Sequence, residues 1–583
     1  MIQLLRNLRL AVGTVSEQMT ESPFFLAIQV IRKLPARLVR PLAGRLAKSA
    51  PTSPHPALLL ASLATGDSKG LITRFKHGIS SGLTANRARQ AVEVALAAGQ
   101  AAWADRFLAL AQGASGVSAT TARRRWYDGD MSGAIAVLEE DRTATAKLGL
   151  RLQSELKVFK GWRPALQPTQ SSPRAGRILY LLTNSAPHTG SGYARRSHSI
   201  LKAQQSAGWE PLAVTRLGYP VQVGTLNARA HDVVDGVSYQ RLLPARMEPS
   251  MDGRLQQQAE ELLAIARDFR PSILHTTTHF VNGLVAREVA DALDVPWVYE
   301  VRGQLADTWA ATRGEAARHS ERYQLFLERE ADVMQSADLV VTLGETMKQN
   351  IENMGIPAHK VLIAPNAVGD DYLADPMGHA AARMALGLEA HGLYIGTVSS
   401  LVDYEGLDDL VAAFALLAPQ LPELKLLLVG DGVAAPALRE QVRRLGLSSR
   451  TIFTGRVSPD RARLYHLALD VFVVPRKDLA VTRSVTPLKP VEALASGRPV
   501  VASRLPALGE IVQDGINGRL SEPENPEMLA NVLLELLEEE QTRQAFGAAG
   551  RQQVLRTRTW ASNAEAYGRA YEDLVRRNMR RAS

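Results

Sequence analysis

The sequence predicts an α/β chain: two doubly wound domains of parallel sheet, preceded by a region made of helices alone. Three observations predict this. From Arg177 onward, short runs rich in Leu, Ile and Val alternate with helical stretches, the pattern of strand–helix–strand crossovers. The alternation starts again near Gly387, so it belongs to two sheets. Before the first of these strands, residues 56–150 show small-residue helical packing and no strand pattern.

Composition bounds the rest. At 583 residues the chain has room for three or four domains, and 46% apolar content is ordinary for globular cores. We divide it at 1–50, 51–166, 176–375, 376–558 and 559–583. Cysteine is absent, which removes disulfides, thiolate metal sites and a cysteine nucleophile, and fits a reducing compartment. The net charge of +9 points to anionic partners: nucleic acid, anionic lipid or phosphate-bearing substrates. Aromatics make up only 5% and do not interleave with the basic residues, which argues against nucleic acid. No apolar run reaches the ~18 residues that a transmembrane helix needs.

Residues 1–50 have short apolar stretches cut by arginines, so we expect no signal peptide. Arg6, Arg9, Arg32, Lys33, Arg37, Arg40, Arg45 and Lys48 are interspersed with Phe24, Phe25, Leu26, Ile28, Val30 and Ile31. This reads either as an amphipathic helix on an anionic membrane surface or as a helix packed on its own domain. In residues 51–166 the segments beginning Gly66, Gly99 and Gly129 recur at spacings of 33 and 30, near the tetratricopeptide period. They read either as degenerate helix pairs with a protein-binding groove or as an irregular bundle.

Residues 167–176 are a linker by composition. The first α/β domain opens with the strand 177–182. The loop His188-Thr-Gly-Ser-Gly-Tyr-Ala-Arg-Arg follows, in which Gly190 and Gly192 let backbone approach a ligand. Strands at 211–215, 273–278 and 297–302 come next; His279 follows the second of these and Arg302 ends the third. Arg302 is a candidate phosphate contact or an ion-pair partner of Glu300. In the second domain, the strand 393–400 contains Gly396, the strand 426–432 ends in Gly430, and the strand 451–457 ends in Arg456 and Val457.

Residues 485–499 organise the chain. They read Val-Thr-Pro-Leu-Lys-Pro-Val-Glu-Ala-Leu-Ala-Ser-Gly-Arg-Pro between two β-branched runs, which is strand, helix, strand. Thr486 is expected as N-cap, Pro487 at the first helical position and Gly497 as the stop. Pro490 should make the first turn irregular. The amides of Leu488 and Lys489 with the helix dipole form an anion site, and Lys489 adds a full charge. Glu492 is placed to reach a sugar hydroxyl. A helix start for a diphosphate beside a carboxylate for a ribose describes a nucleotide-sugar site.

These residues resemble the donor signature of family-four retaining glycosyltransferases, in the branch carrying Thr-Pro-Leu-Lys. The resemblance covers about residues 176–570. It implies a GT-B fold, two Rossmann-like domains facing across a cleft, closing about a hinge at 366–374. It also implies a crossover by the last helix onto the first domain. Glu492 matches the family's ribose-binding glutamate. The resemblance places His279 near the transferred sugar, the Gly190–Gly192 loop against the donor phosphates, and Arg456 and Val457 at the nucleobase. It implies no cofactor beyond the nucleotide-sugar co-substrate, no metal, and a glycan or lipid-linked acceptor.

The chain departs from the family pattern at three places. Ser484 stands where a first glutamate is common, eight residues before Glu492. Thr397 and Glu405 stand where an arginine and a lysine hold the diphosphate. We expect Lys489, with Arg476 or Arg483, to replace those charges. The implied activity is metal-independent, retaining sugar transfer at the cytoplasmic side, free or peripheral to the membrane. The competing readings are a weak or inactive binding module of the same fold and a nucleotide-sugar epimerase.

Overall fold

The computed structural model describes residues 2–21, 24, 27–28, 43–46 and 50–582. Of the basic residues read as a membrane-facing segment, Arg32, Lys33, Arg37, Arg40 and Lys48 lie outside these. So do Phe25, Leu26, Val30 and Ile31. Among the described residues no helix is long and apolar enough to cross a membrane.

The helical region consists of paired helices: Pro56–Thr65 with Ser68–Ser80, Ala85–Ala97 with Ala101–Leu110, and Val117–Asp128 with Met131–Glu139. A long helix, Arg142–Phe159, completes it. The sequence repeat is repeated turn chemistry. Gly66, Gly99 and Gly129 end the first helix of each pair at φ of 71°, 72° and 88°, a region that favours glycine. In the first and third turns an aspartate then caps the next helix: Asp67 accepts from the Gly70 amide and Asp130 from the Gly133 amide, both at 2.9 Å.

This region is fastened to the first sheet domain. Glu321 accepts from the Ser132 amide at 2.6 Å and its hydroxyl at 2.5 Å. Asp252 accepts from Ser154 and Lys157, each at 2.7 Å. The helix Ile2–Glu21 packs on the same domain: buried Asn7 donates to the carbonyls of Leu226 and Ala228, both at 2.8 Å.

The first sheet has eight strands: β1 (Arg177–Leu182), β2 (Glu210–Thr215), β3 (His231–Val234), β4 (Val237–Arg241), β5 (Ile273–Thr277), β6 (Trp297–Glu300), β7 (Leu339–Thr342) and β8 (Val361–Ile363). Their order is β3-β4-β2-β1-β5-β6-β7-β8, parallel except for β3 at one edge. The second sheet has six parallel strands: β9 (Leu393–Val398), β10 (Leu424–Val429), β11 (Thr451–Gly455), β12 (Val471–Val474), β13 (Val500–Ser503) and β14 (Gly518–Ser521). They run β11-β10-β9-β12-β13-β14. Helices cover both faces of each sheet, so the central strands are buried and read as unbroken apolar runs.

The chain crosses between the sheet domains twice, and the two crossings lie side by side. The Val368 amide donates to the Arg558 carbonyl at 2.9 Å, and the Trp560 amide donates back to Val368 at 3.1 Å. The last helix, Trp560–Ala582, then packs into the first domain, burying Tyr567 and Tyr571 against Tyr180 and Ile178.

Candidate active site

Parallel strands bring all their following loops to one edge, and here the two carboxyl edges face each other. The loop after β7 meets the loops after β12 and β13. Glu510 accepts from the amides of Glu345 and Thr346 at 2.8 and 2.7 Å. Asn350 donates to Ser484 at 3.0 Å, and Asn366 donates to the Thr486 carbonyl at 2.9 Å. Such crevices at strand carboxyl ends are where open α/β sheets bind ligands.

The helix before β13 starts later than its sequence suggests. It runs Lys489–Ala495, with Leu488 as N-cap and no side-chain cap. Thr486 is buried, its carbonyl engaged by Asn366 and its hydroxyl turned toward the Leu343 carbonyl at 3.5 Å. Thr486 therefore ties the domains together and does not cap, and Pro487 lies before the helix. Pro490 stands in the first turn, where a missing amide hydrogen costs no helical bond, so the turn is regular. Gly497 ends the helix with φ of 71°, as expected. Among the described residues the amides of Leu488 and Lys489 meet no acceptor.

Lys489 and Glu492 lie together on this first turn. Lys489 Nζ stands 3.5 Å from Glu492 Oε2. Burial pushes the Glu492 carboxyl up, but Lys489, His466 and Arg195 outweigh it and hold it down at about 2. Arg195 comes from the first turn of the helix Gly192–Ser206, across the cleft, and its Nε donates to the Gly190 carbonyl in the loop after β1 at 3.3 Å. Gly190 and Gly192 in that loop are exposed, with open space where a side chain would stand.

His279 caps the helix Phe280–Leu293, its Nδ1 accepting from the Val281 amide at 3.4 Å. Its ring packs on Phe280 and Phe326, with centroids 4.5 and 5.0 Å away. Burial and then Arg322 push it down to about 4, so it is neutral at pH 7. Beneath it, buried Glu330 accepts from the Phe280 amide at 2.9 Å and the Tyr299 hydroxyl at 2.7 Å.

The remaining candidate cations are spoken for. Arg302 is buried, with Nη2 on Glu300 at 2.6 Å and Nη1 on Ser197 at 2.7 Å and the Tyr193 carbonyl at 3.1 Å. It is an ion-pair partner inside the first domain and does not line the cleft as a free phosphate ligand. Arg476 pairs with Glu405 at 2.8 and 3.2 Å and holds the Val485 carbonyl at 3.2 Å. Arg483 pairs with Asp478 at the surface. Of the three proposed replacements, Lys489 alone stands at the helix start, where it pairs with Glu492 of the same turn. The reason is local: Glu405, which replaces a family lysine, draws Arg476 to itself.

Gly396 lies within β9, where a Cβ would stand 1.9 Å from the Leu427 carbonyl oxygen, so it serves strand packing. Gly430, at φ of 136°, packs the loop after β10 on the Ser399 carbonyl. Arg456 and Val457 follow β11, the arginine exposed. Among the described residues no group of three or more His, Asp or Glu side chains is arranged to hold a metal ion. Sequence reasoning missed His466, Arg195 as a partner of Glu492, and Glu510. Nothing in the spacing of His466 or Glu510 marks them, because both act on residues distant in sequence or on another helix.

Comparison with known proteins agrees with this geometry. Residues 191–367 match the "Glycosyl transferase 4-like domain" model and residues 381–553 the "Glycosyl transferases group 1" model. An alpha-monoglucosyldiacylglycerol synthase of Streptococcus pneumoniae is 28% identical over 281 residues, which span 47% of this chain and 61% of that protein. A D-inositol 3-phosphate glycosyltransferase of Corynebacterium kroppenstedtii is 28% identical over 449 residues, 71% of this chain and 93% of that one. Among solved structures, sucrose-phosphate synthase from Thermosynechococcus elongatus aligns at TM-score 0.57 with 22% identity, covering 68% of this chain and 99% of that one. The Anabaena protein HepE in complex with UDP aligns at 0.55 with 18% identity, covering 68% of this chain and 100% of that one. With both sheet domains matched to glycosyltransferase domains, the chain belongs to the glycosyltransferases and has the GT-B fold.

Proposed function

We propose that the protein transfers a sugar from a nucleoside diphosphate sugar to a glycolipid, polysaccharide or lipid-linked acceptor, with retained anomeric configuration and without a metal ion. The observation that carries this reading is the Lys489–Glu492 pair on the first helical turn at the carboxyl edge of the second sheet. Charge builds on the departing diphosphate as the glycosidic bond breaks, and Lys489 with the amides of Leu488 and Lys489 is placed to neutralise it. Glu492, held low by Lys489 and His466 and so ionised at pH 7, is suited to accept from the ribose hydroxyls. Ser484 offers no carboxylate for a double displacement, so attack from the donor's own face, with the departing phosphate taking the acceptor proton, fits the groups present. His279, neutral at pH 7, is available as a hydrogen-bonding group for the transferred sugar. Relatives named for a glucosyldiacylglycerol, for inositol 3-phosphate and for a phosphatidylinositol mannoside favour a lipid or inositol-bearing acceptor.

Donors are screened by thermal shift with UDP-, GDP- and ADP-sugars, then by release of nucleoside diphosphate in the presence of lipid extract. Lys489→Ala and Glu492→Ala should each lower kcat/KM by about 10²-fold or more, on the order of 3 kcal/mol of lost transition-state binding. Variants matching wild type would place the site elsewhere. A second reading, a binding module with weak or no turnover, is favoured by the Arg476–Glu405 and Arg483–Asp478 pairs, which leave few free cations. Donor binding without any release of nucleoside diphosphate would select it.

The acceptor class agrees with a surface on the first domain. The helix Ile2–Glu21 leaves Leu4, Leu5, Leu8 and Val12 exposed, and the segment it docks on exposes Val223 and Leu226. Arg6 and Arg9 are exposed on the same helix. An apolar stripe bordered by arginines suits an anionic bilayer surface. The wild-type chain should sediment with vesicles containing anionic lipid at low salt, and Leu5→Asp with Leu8→Asp should abolish this.

A further inference from the structure

His466 lies on the helix Pro459–Ala468, beside the candidate donor site. Its ring is fully buried, and neither ring nitrogen has a hydrogen-bond partner. It packs on Phe472, centroids 5.1 Å apart, and turns Nε2 toward Glu492 Oε2 at 3.7 Å, just past bonding distance. An unpaired buried imidazole is costly, so its place opposite a carboxylate calls for a reason. Burial keeps the ring neutral at pH 7, which leaves it one N–H to give.

Lys489 supplies the reason. Its ammonium faces Glu492 Oε2 at 3.5 Å. On the donor-site reading that same ammonium must turn to the diphosphate when the donor arrives. Glu492 then loses its nearest cation at the moment its orientation matters. We propose that His466 is a positioning residue that takes over Glu492 when the donor binds: its Nε2–H donates to Oε2 and leaves Oε1 for a ribose hydroxyl. The inference rests on the donor-site reading and deepens it, since it assigns the hand-over that frees Lys489 for the diphosphate. The titratable and charged groups facing Glu492 are Lys489, His466, Arg195, Asp371 and the Tyr372 hydroxyl; those facing His466 are Glu492 and Lys489.

The test uses the full chain and titration calorimetry with UDP, GDP and ADP. The variants are His466→Phe, His466→Gln, Glu492→Gln and the double variant His466→Phe with Glu492→Gln. Phenylalanine keeps the packing on Phe472 and removes the donor; glutamine restores a donor with poorer packing. For the best-bound nucleotide, His466→Phe should weaken binding about 10-fold, on the order of 1.4 kcal/mol. His466→Gln should recover most of that loss, and His466→Phe should cost nothing further once Glu492 is Gln. A packing role would give the opposite ranking, glutamine worse than phenylalanine, and that outcome or additive losses overturns the inference. Wild-type binding with Glu492→Gln weakened but His466→Phe unchanged overturns it while leaving the donor site standing. A wild-type chain that binds none of the three nucleotides overturns both. Histidine-ring 15N labelling gives a check without a folding risk. The wild-type His466 Nε2–H signal should shift downfield on adding nucleotide, and an unmoved signal sinks the hand-over.

Discussion

Two carboxyls, Glu330 buried and Glu492 half-buried, are driven in opposite directions. Burial pushes the Glu330 carboxyl up to about 7 from its ordinary 4.5, against the pull of its bonds to Tyr299 and Phe280. The native state therefore keeps a proton on Glu330 between those values while the unfolded chain releases it. The stability this group contributes is complete below 4.5 and lost as pH rises through 7. Glutamine keeps an acceptor for the Phe280 amide and cannot ionise. Glu330→Gln should therefore gain on wild type as pH rises from 5 to 8, by at most about 3 kcal/mol, read as the difference in Tm across a pH series. Glu492 slopes the other way, because its cations hold it at about 2: wild type should exceed Glu492→Gln at pH 7 and lose that margin as pH falls below 4.5. Equal differences at all pH values would sink both assignments. Glu492 was legible in the sequence because it sits at fixed spacing from a helix start. Glu330 was not, because nothing local shows that a glutamate on the helix Glu321–Ser336 ends up under His279.

At the scale of elements, one helix borrows its cap from the other domain. The helix Glu345–Asn353 begins at Gly344, which has no side chain to offer. Glu510 of the second domain fills the place, binding the amides of Glu345 and Thr346 and the Thr346 hydroxyl at 2.6 Å. A carboxylate at a helix start satisfies free amides and favours the dipole. Glu510→Ala should cost roughly 1–2 kcal/mol and let the domains part, seen as a larger radius of gyration in solution scattering. Gly344→Ala should do the same, since its Cβ would stand 2.1 Å from Glu510 Oε2. An unchanged radius in both variants would show that the latch does not set the closure. This contact also explains where reading by sequence fell short. The helix pairs of residues 56–139 were legible because their turns repeat the same local chemistry. The start of the helix Lys489–Ala495 was misplaced because Thr486, a good cap by type, is claimed by Asn366 and Leu343 from the facing domain. Local propensity yields where a long-range contact takes the capping group.

At the scale of the molecule, the chain's last helix completes the core of its first sheet. The Tyr571 hydroxyl lies 2.6 Å from His275 Nδ1 on β5 and 3.1 Å from the Tyr180 hydroxyl on β1, and Gln204 donates to it at 3.3 Å. Burial holds His275 neutral, so its one N–H faces Glu300 at 3.5 Å and its Nδ1 depends on Tyr571 for a donor. Between these two parts of one core runs the entire second domain, entered and left through the paired crossings at Val368 and Thr559. Arg196 fastens the outward crossing through the carbonyls of Ala364 and Pro365 at 2.6 and 3.0 Å, and Asn563 of the last helix reaches that same Pro365 carbonyl at 2.8 Å. The first domain cannot finish its core until the chain has returned from the second, and Glu510 ties their facing edges. The two sheet domains should therefore unfold together. Tyr571→Phe leaves a buried imidazole nitrogen without its donor, which costs about 1–3 kcal/mol. Calorimetry should show one transition for both sheet domains, shifted whole to lower temperature in this variant. A transition that splits, with the second domain's part unmoved, would mean that the crossings join two independent bodies and that closure of the cleft draws nothing from the return of the last helix.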